Sequence, residues 1–281
     1  MEYILNCGDL EVVFSTLGAE MISVKYKGLE RLWQNDNNTW TGHAPILFPI
    51  AGKINVKIDG IIYPLLQHGF ARRREFALIS KSINKVSFKL SYSTETLEVY
   101  PYKFELYVNY ELVDNSINIS YITKNIDSIP IYYSIGSHTS FSFPKTIDNY
   151  CIEFEKKEPL VNYMSDTHPS LTGDKITLSN DGILDLSTEY IDNKKTIIFK
   201  NLESKRAILK EKNGKPLSEI IYHGFPYILF WHPLDSKMVC MEPWHNILDS
   251  KDDSKEFKDK DGIIMLNPGE EKELNQTIIY Y

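Results

Sequence analysis

Residues 103–121 read Lys-Phe-Glu-Leu-Tyr-Val-Asn-Tyr-Glu-Leu-Val-Asp-Asn-Ser-Ile-Asn-Ile-Ser-Tyr, and this stretch decides the fold. Phe104, Leu106, Val108 and Tyr110 alternate with Lys103, Glu105, Tyr107 and Asn109, the period of a half-buried strand. Asp114-Asn115 supplies a turn, after which Ile117, Ile119 and Tyr121 resume the alternation with Asn118 and Ser120. Upstream, Val86, Phe88, Leu90 and Tyr92 alternate with Ser87, Lys89 and Ser91. Three such strands in succession predict an antiparallel meander, built from residue types that favour strands.

Working outward, residues 196–199, 227–231 and 238–241 are short apolar runs that read as strands buried on both faces. Asn267-Pro268-Gly269 is a turn before a closing strand from Leu274 to Tyr280. No window of a dozen residues combines a helical apolar stripe with a capping residue. Pro159 to Gly182 reads as an irregular polar excursion, and Asp249 to Asp261 as a solvated charged loop. With no repeat, linker or composition break, residues 1–281 read as a single all-β domain, a large antiparallel β-sandwich.

The 281 residues are 42% hydrophobic, with 31 basic against 38 acidic side chains and a net charge of −7. That balance argues against general binding to nucleic acid or anionic membranes, which draws on a basic excess. Cys7, Cys151 and Cys240 form no C-x-x-C pair, so neither a disulfide framework nor a structural zinc site is expected. No run reaches the ~18 apolar residues of a membrane span, and the start lacks a signal-peptide pattern. A cytoplasmic protein is expected.

Three segments place titratable residues in otherwise apolar surroundings. Gln67-His68-Gly69-Phe70-Ala71-Arg72 sets a histidine before a glycine that permits close approach of backbone or ligand. Taken alone, it reads as a turn with a surface histidine. Ser134 to Phe141 carries His138 in a Ser/Gly-rich stretch, which alone reads as a satisfied polar histidine. Met238-Val239-Cys240-Met241-Glu242-Pro243-Trp244 puts a carboxylate after four apolar strand residues, costly unless it is paired or functional. The alternative is a strand-end glutamate facing solvent. Trp244 offers a flat apolar face for a sugar ring.

Together Glu242, His138 and His68 suggest proton transfer. There is no G-x-S-x-G elbow, no H-E-x-x-H, no P-loop and no dinucleotide-binding glycine motif. The expectation is acid–base chemistry with no cofactor and no metal.

Eight short motifs then occur in order: Gly18-Ala19-Glu20, Leu32-Trp33-Gln34, Ala44 to Ile50, His68 to Arg72, Tyr100-Pro101, Gly136-Ser137-His138, Glu242-Pro243-Trp244 and Asn267-Pro268-Gly269-Glu270. Over nearly the whole chain this set resembles the aldose 1-epimerases (galactose mutarotase-like proteins), closest to their LacX-type branch. The resemblance implies a β-supersandwich with a sugar cleft on its concave face, and interconversion of the α and β anomers of a free hexose. It places Glu242 as general base, His138 as general acid and His68 as a second histidine near the reacting oxygens.

Arg72, Lys53, Trp244 and Phe70 are expected to contact the sugar. Lys53 stands where the family commonly has an arginine, and so lacks the planar bidentate fork. The family's aspartate before the Ile-Phe-Lys stretch is replaced around Lys195. Arg72-Arg73-Arg74, extended, would put Arg72 and Arg74 on one face and, with Lys53 and Lys57, offer a phosphate pocket. The bland alternative has Arg73 facing outward and Arg74 pairing with a surface acid. A hexose-6-phosphate 1-epimerase and a non-catalytic sugar-binding module are the alternatives, with a metal-dependent hydrolase third. The expected partner is a small sugar, phosphorylated or not, bound by a monomer or homodimer.

Overall fold

The computed structural model describes residues 1–36, 38–166, 170–187 and 196–281. The meander forms as its alternation predicts. Strands Lys85–Ser91, Phe104–Val113 and Ser116–Asn125 pair antiparallel, with Leu106 opposite both Leu90 and Thr123. Leu106, Val108, Tyr110, Leu112, Ile117, Ile119 and Tyr121 are buried, and the intervening polar residues face outward. Between the first two strands lies a short helix, Thr94–Val99. Ser93 caps it by accepting from the Thr96 N–H, while its own N–H donates to Thr96 Oγ1.

These strands belong to a nine-stranded sheet ordered Ile183–Asp185, Tyr150–Phe154, Arg206–Glu211, Pro216–Ile221, Glu271–Tyr280, Ser116–Asn125, Phe104–Val113, Lys85–Ser91, Ala77–Lys81. The closing strand thus inserts beside the meander. An N-terminal sheet, Glu2–Cys7, Leu10–Ser15, Met21–Tyr26 and Leu29–Glu30, packs Phe14 against Tyr110 with ring centroids 4.6 Å apart.

The second large sheet positions the site. Its order is Leu171–Ser179, Leu160–Ser165, Ile197–Lys200, Tyr227–Trp231, Met238–Trp244, Gly136–Ser137, Ile46–Leu47, and Thr139–Ser142 also pairs with Met238–Trp244. The three apolar runs are its central strands, and both of their faces are covered. Ile197, Phe199, Ile228, Phe230, Val239 and Met241 join the core that contains Phe104, Leu106 and Val108 of the nine-stranded sheet. Ile198, Tyr227, Leu229 and Trp244 form a separate cluster with Leu47 and Leu248. Because successive strand side chains point to opposite faces, Glu242 lies on the side away from the main core. The architecture is an all-β antiparallel sandwich.

Two expectations need correction. The described residues of 159–182 are not an irregular excursion: Leu160–Ser165 and Leu171–Ser179 pair antiparallel at the edge of the second sheet, with register shifts that hide the alternation. Residues 249–261 are not simply a solvated loop. Phe257 is buried, and buried Lys260 donates to Asp249 at 2.7 Å and to Asp253 at 2.9 Å, pinning the segment. The three cysteines are free thiols. Among the described residues no helix is long and apolar enough to cross a membrane.

Candidate active site

The strand Met238–Trp244 pairs Gly136 with Trp244 and Thr139 with Met241. These pairings share one register, which sets His138 directly opposite Glu242. Side chains of directly opposed residues emerge on the same face. His138 Nε2 accordingly lies 3.3 Å from Glu242 Oε2. Both residues are buried, Glu242 at 1% exposure and His138 at 7%. His138 Nδ1 and Glu242 Oε2 have no hydrogen-bond partner among the described residues.

His68 reaches the same place from a turn. His68 and Gly69 have φ of 66° and 67°, so the chain reverses through two left-handed residues. A Cβ on Gly69 would sit 2.2 Å from Phe48 O, so only glycine allows the turn to pack there. The His68 N–H donates to Gly52 O at 2.7 Å, and the Gly52 N–H donates to His68 Nδ1 at 2.9 Å. Nδ1 is therefore an acceptor, and the neutral ring carries its proton on Nε2, which stands 3.2 Å from the Gln67 side-chain amide. The His68 ring stands edge-on to His138 and to Trp244, with centroids 5.5 and 5.4 Å away.

These residues line a cavity of about 330 Å³. Glu242, His138, His68, Arg72 and Trp244 are all on its wall. Two anticipated residues are elsewhere. Phe70 packs in the core against Phe48, Tyr100 and Phe104, and Lys53 is exposed and off the lining. The arginine run is not an extended strand, since Ala71–Arg73 is a 3-10 turn. Arg72 turns to the cavity, whereas Arg73 donates to Gly69 O at 3.0 Å. Lys57 pairs with Glu256, so the basic stretch does not converge on one phosphate pocket. Lys195 lies outside the described residues.

Trp40 and Trp231 also line the wall, with Gln67, Ser165, Asp166, Thr196 and Leu248, and none of these was anticipated. Trp40 stacks on His138 at 4.8 Å between centroids, and Trp231 meets His138 edge-on at 5.8 Å. Trp231 is indistinguishable in sequence from a core strand residue. Trp40 did carry a signal, a large aromatic in a polar stretch followed closely by Gly42. A Cβ on Gly42 would lie 2.5 Å from the Trp40 ring.

Burial governs the electrostatics. It pushes the Glu242 carboxyl well above the usual carboxylate range, with Trp244 partly opposing the shift. It lowers His138 to about 3, helped by the Arg72 guanidinium. His68 is also driven well down, by burial first and then by His138, Arg72 and Arg73. Each shift disfavours an isolated charge in a low-dielectric site. Burial thus favours the neutral form of both groups, the carboxyl protonated and the imidazole uncharged, although they stand 3.3 Å apart.

A buried carboxyl–imidazole pair on a sandwich sheet, beside tryptophan faces, defines a site suited to acid–base chemistry on a sugar-sized molecule. The family model described as aldose 1-epimerase matches residues 1–278, and the chain belongs to that family. Among individual proteins, it is 31% identical to the plasmid-encoded protein LacX of Lactococcus lactis subsp. lactis, with 92% of each chain covered. The chromosomal LacX of the same organism is equally similar. A galactose mutarotase related enzyme from Lactobacillus acidophilus superposes with a TM-score of 0.93 at 27% identity, covering 100% of this chain and 97% of that one. A galactose mutarotase-like protein from Lactobacillus casei ATCC 334 superposes at 0.94 with the same identity and complete coverage of both.

Proposed function

We propose that this protein is an aldose 1-epimerase that interconverts the α and β anomers of a free aldohexose. The observation that carries this reading is the 3.3 Å approach of His138 Nε2 to Glu242 Oε2 on the cavity wall. In the proposed reaction the Glu242 carboxylate takes the proton of the C1 hydroxyl while protonated His138 delivers one to the ring oxygen. The C1–O5 bond breaks to give the open-chain aldehyde, rotation about C1–C2 exposes the other face, and closure reverses the transfers.

The pKa shifts favour the neutral pair, which is the state reached on ring opening, so the charged pair that starts the reaction has to form with substrate bound. Burial raises Glu242 and lowers His138, so the proton is more stable on the carboxyl than on the imidazole. Ring opening achieves that transfer through the substrate, removing both charges from a poorly solvated site. His68, neutral with its proton on Nε2, supplies a donor to a sugar oxygen, and Arg72 supplies a fixed cation. Trp40 and Trp244 offer apolar faces to the ring.

NMR exchange between anomers, run on a panel of free aldoses and their 6-phosphates, tests the reading. Acceleration on free hexoses is expected. Acceleration confined to the 6-phosphates would replace the substrate class, and binding without acceleration on any sugar would leave a non-catalytic binding module.

A further inference from the structure

We propose that His138, Cys240 and Glu242 form a binding site for a zinc-class divalent cation, and that the cation blocks the proton-transfer pair when bound. One ligand atom from each of the three lies within 4.8 Å of the other two. The convergence follows from strand register. Cys240 and Glu242 are two residues apart on one strand and share a face, and His138 stands across from Glu242.

The imidazole–carboxylate spacing suits the ion. Zn–N and Zn–O bonds of about 2.0–2.2 Å at a tetrahedral angle separate the two donors by roughly 3.3 Å. His138 Nε2 and Glu242 Oε2 are 3.3 Å apart. The Cys240 thiol has to close in, since zinc sets sulfur and oxygen or nitrogen donors roughly 3.5 Å apart against a present spread of up to 4.8 Å. Glu242 Oε2 is almost fully buried, faces His138 and has no hydrogen-bond partner among the described residues, so an ion would satisfy it. The Cys240 thiol makes a long contact to Met238 Sδ at 3.9 Å, a weak interaction to give up.

Thiolate, imidazole and carboxylate together select a borderline-soft ion over magnesium or calcium, which prefer oxygen-only cages. Three protein ligands leave a fourth position for water from the cavity. Binding forms metal–sulfur, metal–nitrogen and metal–oxygen bonds. The thiol proton and the Glu242 carboxyl proton pass to solvent. Both proton-transfer groups are then occupied. This blocking half rests on the aldose 1-epimerase reading, whereas the binding half does not.

The test uses the full chain, freed of metal by chelator, with Co²⁺ as the spectroscopic probe and Zn²⁺ as competitor. One Co²⁺ per chain is expected, with a thiolate-to-cobalt charge-transfer band that Zn²⁺ abolishes and that Cys240→Ser lacks. Cys7 and Cys151 remain in that variant as internal controls. Zn²⁺ should suppress anomer exchange in the wild type and fail to do so at the same concentration in Cys240→Ser. Cys240→Ala, which adds no bulk to the buried site, substitutes if circular dichroism shows the serine variant unfolded.

Absence of the band in the wild type, or its persistence in the Cys240 variant, overturns the site. Exchange that continues with the band at saturation overturns the blocking half. A band without exchange on any sugar supports the site while removing the epimerase reading.

Discussion

His138 and Glu242 are cross-strand neighbours, His138 Nε2 standing 3.3 Å from Glu242 Oε2 on the face of the sheet opposite the main core. Burial disfavours a charge on either group, raising the carboxyl and lowering the imidazole.

Glu242→Gln keeps the shape of the side chain and removes the base. Anomer exchange should fall by about 10²–10⁴-fold, the usual contribution of a positioned acid–base group. Circular dichroism should be unchanged. Polarimetry on a freshly dissolved single anomer measures the loss, and near-wild-type exchange in the variant would remove Glu242 from the proposed chemistry.

The two members of the pair give stability opposite pH slopes. His138 is lowered from 6.5 to about 3, so the unfolded chain binds its proton first. Stability from this group is full above pH 6.5 and is lost as pH falls toward 3, with His68 acting in the same sense. Glu242 is raised, so its contribution is full below the unfolded carboxyl value, about 4.3, and is lost as pH climbs toward the folded value. Urea midpoints measured across this range should show a shallower acid-side fall in His138→Asn. At neutral pH, Glu242→Gln should be at least as stable as the wild type.

Gly69→Ala should be severely destabilising. The left-handed backbone alone costs about 1–3 kcal/mol for an L side chain. The added Cβ also meets Phe48 O at 2.2 Å, and backbone cannot swing aside as a side chain would. A fall in the thermal midpoint together with loss of anomer exchange is expected, because the same turn carries His68.

Lys260→Met tests the buried ion triad. Removing the cation leaves Asp249 and Asp253 uncompensated, for an expected loss of about 3–5 kcal/mol by urea denaturation. A loss below about 1 kcal/mol would assign the triad the weight of a surface pair.

Trp40→Ala removes the ring stacked on His138. Aromatic pairs of this kind are worth about 0.5–1.5 kcal/mol beyond area burial, which is roughly a 2- to 10-fold change. The change should appear mainly in KM if the ring serves as a sugar platform. A change confined to kcat would instead make Trp40 a positioning residue for His138.

The sequence by itself determined the sheet class. Alternation at Phe104 to Tyr121 and two-faced apolar runs at 227–231 and 238–241 are local patterns, and burying an apolar face dictates strand and orientation wherever they occur. It also marked Glu242, a carboxylate after four apolar residues, whereas His138 and His68 taken alone read as ordinary histidines and gained weight only from the ordered set of motifs. The strand pair Leu160–Ser165 and Leu171–Ser179 escaped because register shifts break the period, and buried Lys260 escaped because its partners lie on the same charged run. Only tertiary structure decided which marked residues meet. Register set His138 across from Glu242, a 3-10 turn sent Arg72 inward and left Lys53 outside, and Phe70 went to the core. Those outcomes depend on pairings between distant segments, and no local pattern of residues encodes them.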